Sequence, residues 1–359
     1  MDQRRAAGVA VELNSAGQRA MSQLPATFLA LPKAELHVHL EGSLEPATVV
    51  ELAARHGVTV SEAEVAARYQ YADFRGFLDA FKWVTSFLRT PQDYALAAER
   101  LFAQLRAQNV VYAEVTLSVG VMLWRKLEAS AIFDAVDEAA RRALPHGLRV
   151  AWVVDCVRQF GPGAAMDVAR HAAQWTKRGV VALGMGGDEL ALPAADFRAV
   201  YDFARAAGLH SLVHAGEIGG PQAVRDAVEI LGAERIGHGI AAVADDAVMA
   251  VLIERGVALE VCPTSNLRTG ALAGLLAKQD ARIEEHPARH LHERGVTITL
   301  STDDPPMFGC TLAGEYAAAL QMGFSVADLV RVARNGFACA FLPDEEKTRV
   351  VATFDESTR

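Results

Sequence analysis

Eight short apolar segments, separated by amphipathic stretches of helical periodicity, constrain the fold of this chain more than any other feature of its sequence. Several of the segments are nearly continuous in Val, Ile and Leu, as strands that are buried on both faces should be. This alternation is typical of a parallel sheet with covering helices. The predicted strands span residues 35–40, 110–117, 148–156, 180–185, 211–214, 235–240, 257–262 and 296–300.

Eight parallel strands with intervening helices close most economically into a (β/α)8 TIM barrel, and we predict an α/β protein of this architecture. The active sites of such barrels lie where the strands end. Six of the predicted strands end in polar residues, which a closed barrel brings to one rim. These polar ends are His-Val-His-Leu-Glu-Gly at 37–42, Gly-Gly-Asp-Glu at 186–189, His-Ala-Gly-Glu at 214–217, Gly-His-Gly at 237–239, Pro-Thr-Ser-Asn at 263–266 and Thr-Asp-Asp-Pro at 302–305.

The connection from the first to the second predicted strand, residues 43–109, is long and predicts extra helices inserted after the first strand. Ser61 and Glu64 have the spacing of a capping box that opens one of them. An apolar stripe on another is either ordinary core against the barrel or a lid that stacks on an aromatic substrate. The stripe consists of Phe74, Phe77, Leu78, Phe81 and Trp83.

The remaining segments of the sequence offer little that bears on function. We expect residues 1–23 to form a tail with no functional assignment, and residues 24–359 to form a single barrel domain. Residues 270–288 have the composition of a solvated surface loop or helix. The sequence carries no signal for the oligomeric state.

Composition and charge exclude several classes of protein. The chain has 359 residues and a net charge of -9, with no basic run long enough to follow a phosphate backbone, so we expect no nucleic-acid partner. It has no uninterrupted apolar stretch of about 18 residues, so we expect no membrane span and a cytoplasmic location. Four scattered cysteines without a Cys-x-x-Cys pair predict buried thiols rather than disulfides or a cysteine zinc site. They are Cys156, Cys262, Cys310 and Cys339.

Two histidines at the end of the first predicted strand indicate a metal site. His37 and His39 are two residues apart, so on a strand both imidazoles point the same way. Alone, such a pair is more often two satisfied core histidines than a metal site. His214, His238 and Asp303 also lie at strand ends, however, and imidazole nitrogens with one carboxylate form a ligand set that zinc accepts while one position stays open for water.

Taken together, the His-x-His, His-Ala-Gly-Glu, Gly-His-Gly and Thr-Asp-Asp-Pro motifs resemble those of the adenosine deaminase family, a branch of the zinc amidohydrolase barrels. The resemblance covers about residues 30–340 and keeps the family's order of motifs. It implies one zinc ion per chain, held by His37, His39, His214 and Asp303.

The resemblance also implies roles for residues that face a purine. Glu217 is expected to donate a proton to ring N1, and His238 to accept or orient the proton of the attacking water. Asp304 is expected to hydrogen bond to N7, and the backbone of Gly187 to contact the ring. The catalytic residues are then Glu217, His238 and Asp304, and the residues expected to contact substrate are Gly187, Asp304, Glu41, His39, Phe77 and Phe81.

Each role also has a chemical basis in the sequence. Glu217 lies three residues after His214 and reaches the same pocket, where burial favours the protonated carboxyl that a donor needs. Asp303 and Asp304 are adjacent, which on a strand sends them to opposite faces. The strand must therefore end here for both to face one pocket, and the two prolines that follow supply that ending.

Two positions depart from the adenosine-specific pattern. Glu41 stands where the adenosine enzymes usually carry an Asp that contacts the sugar, and Gly184 stands where they carry another Asp. The specificity for the sugar side is therefore open. The segment 262–270 is similar to bacterial family members that deaminate 6-amino-6-deoxyfutalosine, a purine nucleoside with an aryl carboxylate. Arg158 and Arg268 are candidates to pair with that carboxylate, with ordinary surface positions as the default expectation.

We therefore predict zinc-dependent hydrolytic deamination of a 6-aminopurine nucleoside, adenosine or adenosine-like, to the 6-oxo product and ammonia. The alternatives are 6-amino-6-deoxyfutalosine, as in menaquinone biosynthesis, and free adenine. A catalytically silent nucleoside-binding protein is the non-enzyme alternative, but it is expected to have lost a metal ligand or the proton donor. A two-metal amidohydrolase usually brings a lysine to the end of the fourth strand, where this chain has Gly-Gly-Asp-Glu.

Overall fold

A computed structural model describes residues 24–358 of the chain, so the predicted tail at residues 1–23 lies outside the described residues. Eight strands form one sheet in the order β1 to β8, and each neighbouring pair is parallel. The strands are β1 Lys33–His39, β2 Val110–Leu117, β3 Arg149–Val157, β4 Val180–Gly186, β5 His210–Ala215, β6 Arg235–His238, β7 Ala258–Val261 and β8 Ile298–Leu300.

The first and last strands meet just beyond the end of β8, where Asp303 forms a parallel bridge with Val38. The Asp303 N–H donates to the carbonyl oxygen of His37 at 2.9 Å, and the His39 N–H donates to the carbonyl oxygen of Asp303 at 2.9 Å. The chain is therefore a (β/α)8 TIM barrel, as predicted.

All eight predicted strands are present, and only their ends differ. Residues 235–240 were expected to be extended, but β6 ends at His238, where φ is 64°, and Gly239 follows with φ of 69°. These left-handed conformations terminate a strand because they reverse the direction of the backbone. The side chain of His238, at the end of β6, is thereby turned toward the barrel axis.

Among the described residues, eighteen α-helices surround the barrel, and none combines the length and apolarity needed to cross a bilayer. Numbered in chain order, they are α1 Ala26–Leu29, α2 Pro46–Arg55, α3 Glu62–Arg68, α4 Phe74–Thr85, α5 Pro91–Ala107, α6 Val119–Trp124, α7 Ala129–Ala143, α8 Gly161–Trp175, α9 Arg198–Ala206, α10 Pro221–Glu229, α11 Asp246–Arg255, α12 Pro263–Arg268, α13 Ala271–Leu275, α14 Ala288–Glu293, α15 Pro305–Phe308, α16 Leu312–Gln321, α17 Val326–Ala338 and α18 Asp344–Ser357.

The insertion between β1 and β2 consists of helices α2 to α5, as predicted. The capping box is present: the Glu64 N–H donates to the Ser61 hydroxyl, and the Glu64 carboxylate accepts the Ser61 N–H at 2.8 Å. Helix α4 begins after Asp73, whose carboxylate accepts the Gly76 N–H at 2.8 Å. These caps satisfy N–H groups that the first turn of a helix leaves unpaired.

A buried ionic network lies inside the barrel, around the amino end of β6. Arg235 is 1% exposed, and its Nε donates to Glu260 at 2.6 Å. Another guanidinium nitrogen pairs with Glu114, and a third donates to the carbonyl oxygen of Cys339 at 2.7 Å. The guanidinium also lies 3.7 Å from the ring centroid of Phe341. The network therefore links β2, β6 and β7 to the end of α17.

We predict that Arg235→Leu destabilises the fold by about 3–5 kcal/mol, because it leaves two buried carboxylates without their cation. Arg170→Leu is the control, since the Arg170 side chain is 61% exposed and pairs only at the surface; we expect about 0.5 kcal/mol or less. Urea unfolding followed by circular dichroism measures both. Equal unfolding midpoints for the two variants would show that the network does not stabilise the barrel.

Candidate active site

The strand ends surround one cavity of about 490 Å³ at the carboxyl end of the barrel. Most of the predicted site residues line it, and His37 lies at its base, 1% exposed, beside His39. The predicted residues that line the cavity are His39, Phe77, Phe81, Gly187, His214, Glu217, His238, Asp303 and Asp304.

Three imidazoles and one carboxylate form a cluster that fits a single metal ion. The potential ligand atoms of His37, His39 and His214 all lie within 4.8 Å of one another. Asp303 Oδ1 lies 3.6 Å from His37 Nε2 and 3.3 Å from His39 Nε2. Two neighbouring ligand atoms that share one zinc ion at roughly 2.1 Å lie about 3–3.6 Å apart, so these spacings suit that ion.

An unpaired nitrogen supports the same interpretation. His37 Nε2 is buried and has no hydrogen-bond partner within residues 24–358. A buried polar atom without a partner is costly, and a cation held between it and Asp303 removes that cost. The four residues that the resemblance gave as ligands therefore fit a metal ion in both composition and geometry.

Glu260, on β7, sets the orientation of His37. Its Oε2 lies 2.9 Å from His37 Nδ1, and its other oxygen accepts from Arg235. Burial raises the pKa of Glu260, but the charges and hydrogen bonds of Arg235 and His37 together outweigh burial and lower the pKa, so the group is a carboxylate. It accepts a hydrogen bond from the His37 Nδ1–H and leaves the Nε2 lone pair free for a metal. The sequence analysis missed Glu260, although an acidic residue in an otherwise apolar strand was a signal.

Asp303 and Asp304 both face the cavity because the backbone turns sharply between β8 and α15. Asp303 has φ of 63°, and the helix begins immediately at Pro305, so the predicted end of the strand is confirmed. Ser265 donates to Asp303 Oδ2 at 2.6 Å. Gly42 leaves room for Asp304, since a Cβ there would lie 1.5 Å from its Oδ1.

Glu217 is held at the cavity wall as a protonated acid. Burial raises its pKa to about 8, and the negative charges of Asp303 and Glu189 add to this effect. At neutral pH the carboxyl therefore carries a proton that it can donate. Its Oε2 lies 3.5 Å from His238 Nε2, and the Thr269 hydroxyl donates to its Oε1 at 3.4 Å.

The turn that carries Glu217 is fixed by Glu189, the last residue of the Gly-Gly-Asp-Glu motif. The Glu189 carboxylate accepts the N–H groups of Glu217 at 3.1 Å, Ile218 at 2.9 Å and Gly219 at 2.8 Å, and it also accepts from Gly216. Sequence analysis placed the motif at the rim but assigned Glu189 no role, because this contact joins two separate strand ends.

The outer wall of the cavity is apolar. On one side it consists of Phe74, Phe77, Leu78 and Phe81 of helix α4, so the predicted stripe faces the cavity. Trp83 is the exception, since its ring packs against Phe87 at a centroid distance of 5.1 Å. On the other side, Trp124 and Phe160 stack at 5.7 Å. Among the described residues, Lys82 is the only Lys or Arg that lines the cavity.

The two positions that depart from the adenosine-specific pattern are explained by their neighbours. Glu41 is 2% exposed and lies behind the wall, where it accepts the Ser118 N–H at 3.0 Å, so the structure does not place it among the lining residues. Gly184 lies beside Asp155 of β3, which does line the cavity; a Cβ at 184 would lie 2.9 Å from Asp155 Oδ1. A carboxyl group thus faces this space from the neighbouring strand.

Asp155 was not identified from the sequence. It is 5% exposed, and its Oδ1 has no hydrogen-bond partner among the described residues. Burial raises its pKa to about 8, with a further increase from the charge of Glu41. Its position as a lone acidic residue near the end of an apolar strand was the signal that could have revealed it.

The two arginines considered for a substrate carboxylate do not line the cavity. Arg158 is 5% exposed and donates to the carbonyl oxygens of Leu192 and His214, so its default assignment as a surface cation is wrong. Arg268 is half-buried, lies 5.2 Å from the ring centroid of Tyr71, and donates to a backbone carbonyl oxygen. Both guanidinium groups thus donate hydrogen bonds to carbonyl oxygens of the protein itself.

A TIM barrel whose rim joins three imidazoles and a carboxylate beside a protonated acid has the architecture of a hydrolase of the amidohydrolase type. The family model for adenosine deaminase matches residues 32–357, and the chain belongs to the adenosine deaminase family. It is a hydrolytic deaminase of purines that acts on C–N bonds, as predicted.

Curated relatives carry two different substrate names. The chain is 38% identical over 342 residues to the aminodeoxyfutalosine deaminase of Streptomyces coelicolor, with 93% of this chain and 86% of that protein covered. It is 34% identical over 329 residues to the adenine deaminase of Agrobacterium fabrum, with 91% and 99% covered.

Solved structures share the fold and include a zinc protein. An adenine deaminase from Arthrobacter aurescens matches with a TM-score of 0.84 and 26% identity, covering 91% of this chain and 99% of that one. An amidohydrolase from Burkholderia ambifaria with bound zinc matches with a TM-score of 0.81 and 28% identity, covering 93% of each chain.

We predict that Glu260→Gln weakens zinc binding by about 10- to 100-fold, because the amide no longer supplies the negative charge that orients and polarises His37. Competition with a chelator of known affinity measures the change. Glu284→Gln, on the surface, is the control and should leave zinc affinity unaltered. An unchanged affinity in Glu260→Gln would remove Glu260 from the support of the metal site.

Proposed function

We propose that this protein hydrolyses the 6-amino group of 6-amino-6-deoxyfutalosine, a purine nucleoside with an aryl carboxylate, and releases ammonia. The sequence analysis gave adenosine as the main substrate and this nucleoside as an alternative. The 38% identity to an aminodeoxyfutalosine deaminase now favours the alternative. The observation that carries the proposal is the apolar cavity, which extends well beyond the space that a purine needs.

The size of the cavity supports a substrate larger than a base. Its volume of about 490 Å³ falls in the range of roughly 300–1,000 Å³ that accommodates drug-sized ligands. The polar groups converge at the base of the cavity, while the aromatic side chains of α4 and the Trp124–Phe160 pair form its outer part. A purine bound at the base leaves this aromatic part for a second ring.

The charge of the outer wall supports the same substrate class. Lys82 is exposed where α4 borders the cavity, one helical turn after Leu78 of the apolar wall. Its ammonium group suits a carboxylate at the far end of the substrate, because opposite charges at the surface attract each other modestly. Adenosine and adenine carry no such group.

The residues at the base of the cavity match the chemistry of a deaminase. We propose one zinc ion held by His37, His39, His214 and Asp303; when bound, it lowers the pKa of water and supplies hydroxide at neutral pH. Glu217, protonated at neutral pH, then donates to ring N1 as water adds at C6.

Two further groups hold the ring in place. Burial and the neighbouring charge of Asp303 raise the pKa of Asp304, so its carboxyl is protonated and can donate to N7. Gly187 has φ of 93°, a conformation that favours glycine, and a Cβ there would lie 2.3 Å from Gln159 Oε1; we propose that its backbone contacts the ring. We also propose that the reaction takes place in the cytoplasm.

Free adenine is the second candidate. It is favoured by the 34% identity to an adenine deaminase and by the His-x-His-x-Glu-Gly motif, which adenine-specific relatives also carry. Adenine has no second group that would fill the outer part of the cavity, however, and for this reason we rank adenine second.

Parallel assays of ammonia release on 6-amino-6-deoxyfutalosine, adenine and adenosine test this order. We expect the highest kcat/KM for 6-amino-6-deoxyfutalosine, because only this substrate fills both parts of the cavity. A higher kcat/KM for adenine would establish the second candidate, and a higher value for adenosine would restore the initial prediction.

We predict that Lys82→Met raises KM for 6-amino-6-deoxyfutalosine by about two- to fivefold, the value of one exposed ion pair, with no change for adenosine. Lys177→Met is the matched control, since Lys177 is an exposed lysine in the turn before β4, at the opposite end of the barrel. Equal KM values in wild type and Lys82→Met would mean that the carboxylate is bound elsewhere.

We predict that Glu217→Gln lowers kcat by about 10²-fold or more, since a positioned proton donor is worth roughly 10²–10⁴ in rate. Zinc content by elemental analysis and thermal unfolding should match wild type, because Glu217 is not among the proposed ligands. Unchanged turnover would refute this proton path.

A further inference from the structure

A chain of three hydrogen bonds runs from the backbone of α14 to the catalytic candidate His238. The Ala288 N–H donates to His286 Nδ1 at 3.1 Å. His286 Nε2 lies 3.2 Å from Asn266 Oδ1, and Asn266 Nδ2 lies 3.1 Å from His238 Nδ1. All three side chains are buried, with Asn266 0% exposed and His286 3% exposed. His286 was not identified as a site residue from the sequence.

The direction of all three hydrogen bonds follows from the first donor in the chain, the Ala288 N–H. A backbone N–H can only donate, so His286 Nδ1 must be the acceptor and carry no proton. Burial lowers the pKa of His286 to about 3, so the ring is neutral and its proton lies on Nε2. This Nε2–H donates to Asn266 Oδ1, which directs the Asn266 NH2 group toward His238.

The opposite orientation of the amide is excluded by the same bonds. If Asn266 were flipped, its NH2 group would face the Nε2–H of His286, and two donors would meet. Moving the His286 proton to Nδ1 would only transfer the conflict to the Ala288 N–H. Between buried groups such a conflict is costly. The backbone N–H therefore fixes the orientation of every group in the chain.

We propose that Asn266 and His286 are positioning residues that hold His238 in the tautomer with its proton on Nε2, the nitrogen that faces the cavity. Asn266 donates to Nδ1, which must then be the unprotonated nitrogen. His238 Nε2 lies 3.5 Å from Glu217 and 3.9 Å from Asp303, so its proton points into the reaction space.

This tautomer changes the expected role of His238. The sequence analysis expected it to accept or orient the proton of the attacking water. A neutral imidazole with its proton on Nε2 has no lone pair there to accept with, and acts as a hydrogen-bond donor. It can stabilise negative charge on the oxygen that is added to the ring. This inference rests on the proposed place of His238 in the deaminase site, but the tautomer itself is independent of the substrate.

The tautomer can be read directly from the metal-loaded protein labelled with ¹⁵N-histidine. Protonated and unprotonated ring nitrogens have well-separated ¹⁵N shifts, and the signals lost in His238→Gln assign the ring. We expect a protonated Nε2 and an unprotonated Nδ1 in the wild type. A protonated Nδ1 would overturn the proposal, whatever substrate the enzyme takes.

Asn266→Asp replaces the donor with an acceptor of the same size. We expect His238 Nδ1 to become protonated, and kcat to fall by about 10- to 100-fold while KM changes less than threefold. Asn109→Asp, at an exposed asparagine, is the control and should leave the His238 signals and kcat as in wild type. An unprotonated Nδ1 in folded Asn266→Asp would also overturn the proposal.

Two variants of His286 test the hydrogen bond from His286 to Asn266, and they remain informative if Asn266→Asp fails to fold. His286→Leu removes the donor, so the Asn266 amide can flip, and we expect His238 to show both tautomers and a lower kcat. His286→Gln can donate to Asn266 from its own amide, and we expect it to restore the wild-type signals and most of kcat. Identical His238 spectra in wild type and His286→Leu would show that His286 has no part in fixing the tautomer.

Discussion

The structure of the candidate site depends on the burial of several imidazoles and carboxyl groups within a few ångströms of one another. His37 contacts the rings of His39, His214 and His238, with centroid distances from 4.6 to 5.3 Å, and Asp303 lies against the same group. Water is largely excluded, so each polar atom needs a partner of matching character. A single cation would satisfy the inward-facing atoms together, including His37 Nε2, which has no hydrogen-bond partner among the described residues.

The outward-facing atoms of the cluster are satisfied by groups from other strands. Glu260 accepts a hydrogen bond from His37 and is itself paired with the guanidinium group of Arg235. The Ser265 hydroxyl donates to Asp303. Glu189 holds the turn that carries Glu217 in the same way. His37, Asp303 and the turn of Glu217 are thus each restrained from a second strand end, and a closed barrel brings those ends near one another.

Much of the fold could be predicted from the sequence because its signals are local. The apolar strands, the inserted helices and the capping box at Ser61 follow from periodicity and spacing, and the polar strand ends located the site. Glu189 and Asn266 were missed as site residues because their roles depend on contacts between distant strand ends, which no local pattern encodes. Arg158 was misjudged for the same reason: whether a cation is buried depends on what folds over it. Asp155 and Glu260 were missed although each is an acidic residue in an apolar strand.

The two parts of the cavity have different origins in the chain. Metal-ligand candidates and proton donors are supplied by the strand ends, whereas one whole wall of the outer part comes from α4, a segment placed between two strands. Substitutions on that helix can reshape the space for the distal portion of a ligand without disturbing the reacting centre. With the proposed assignment of the site, selectivity and chemistry are separable, so one barrel could acquire new substrates through changes in a single inserted helix.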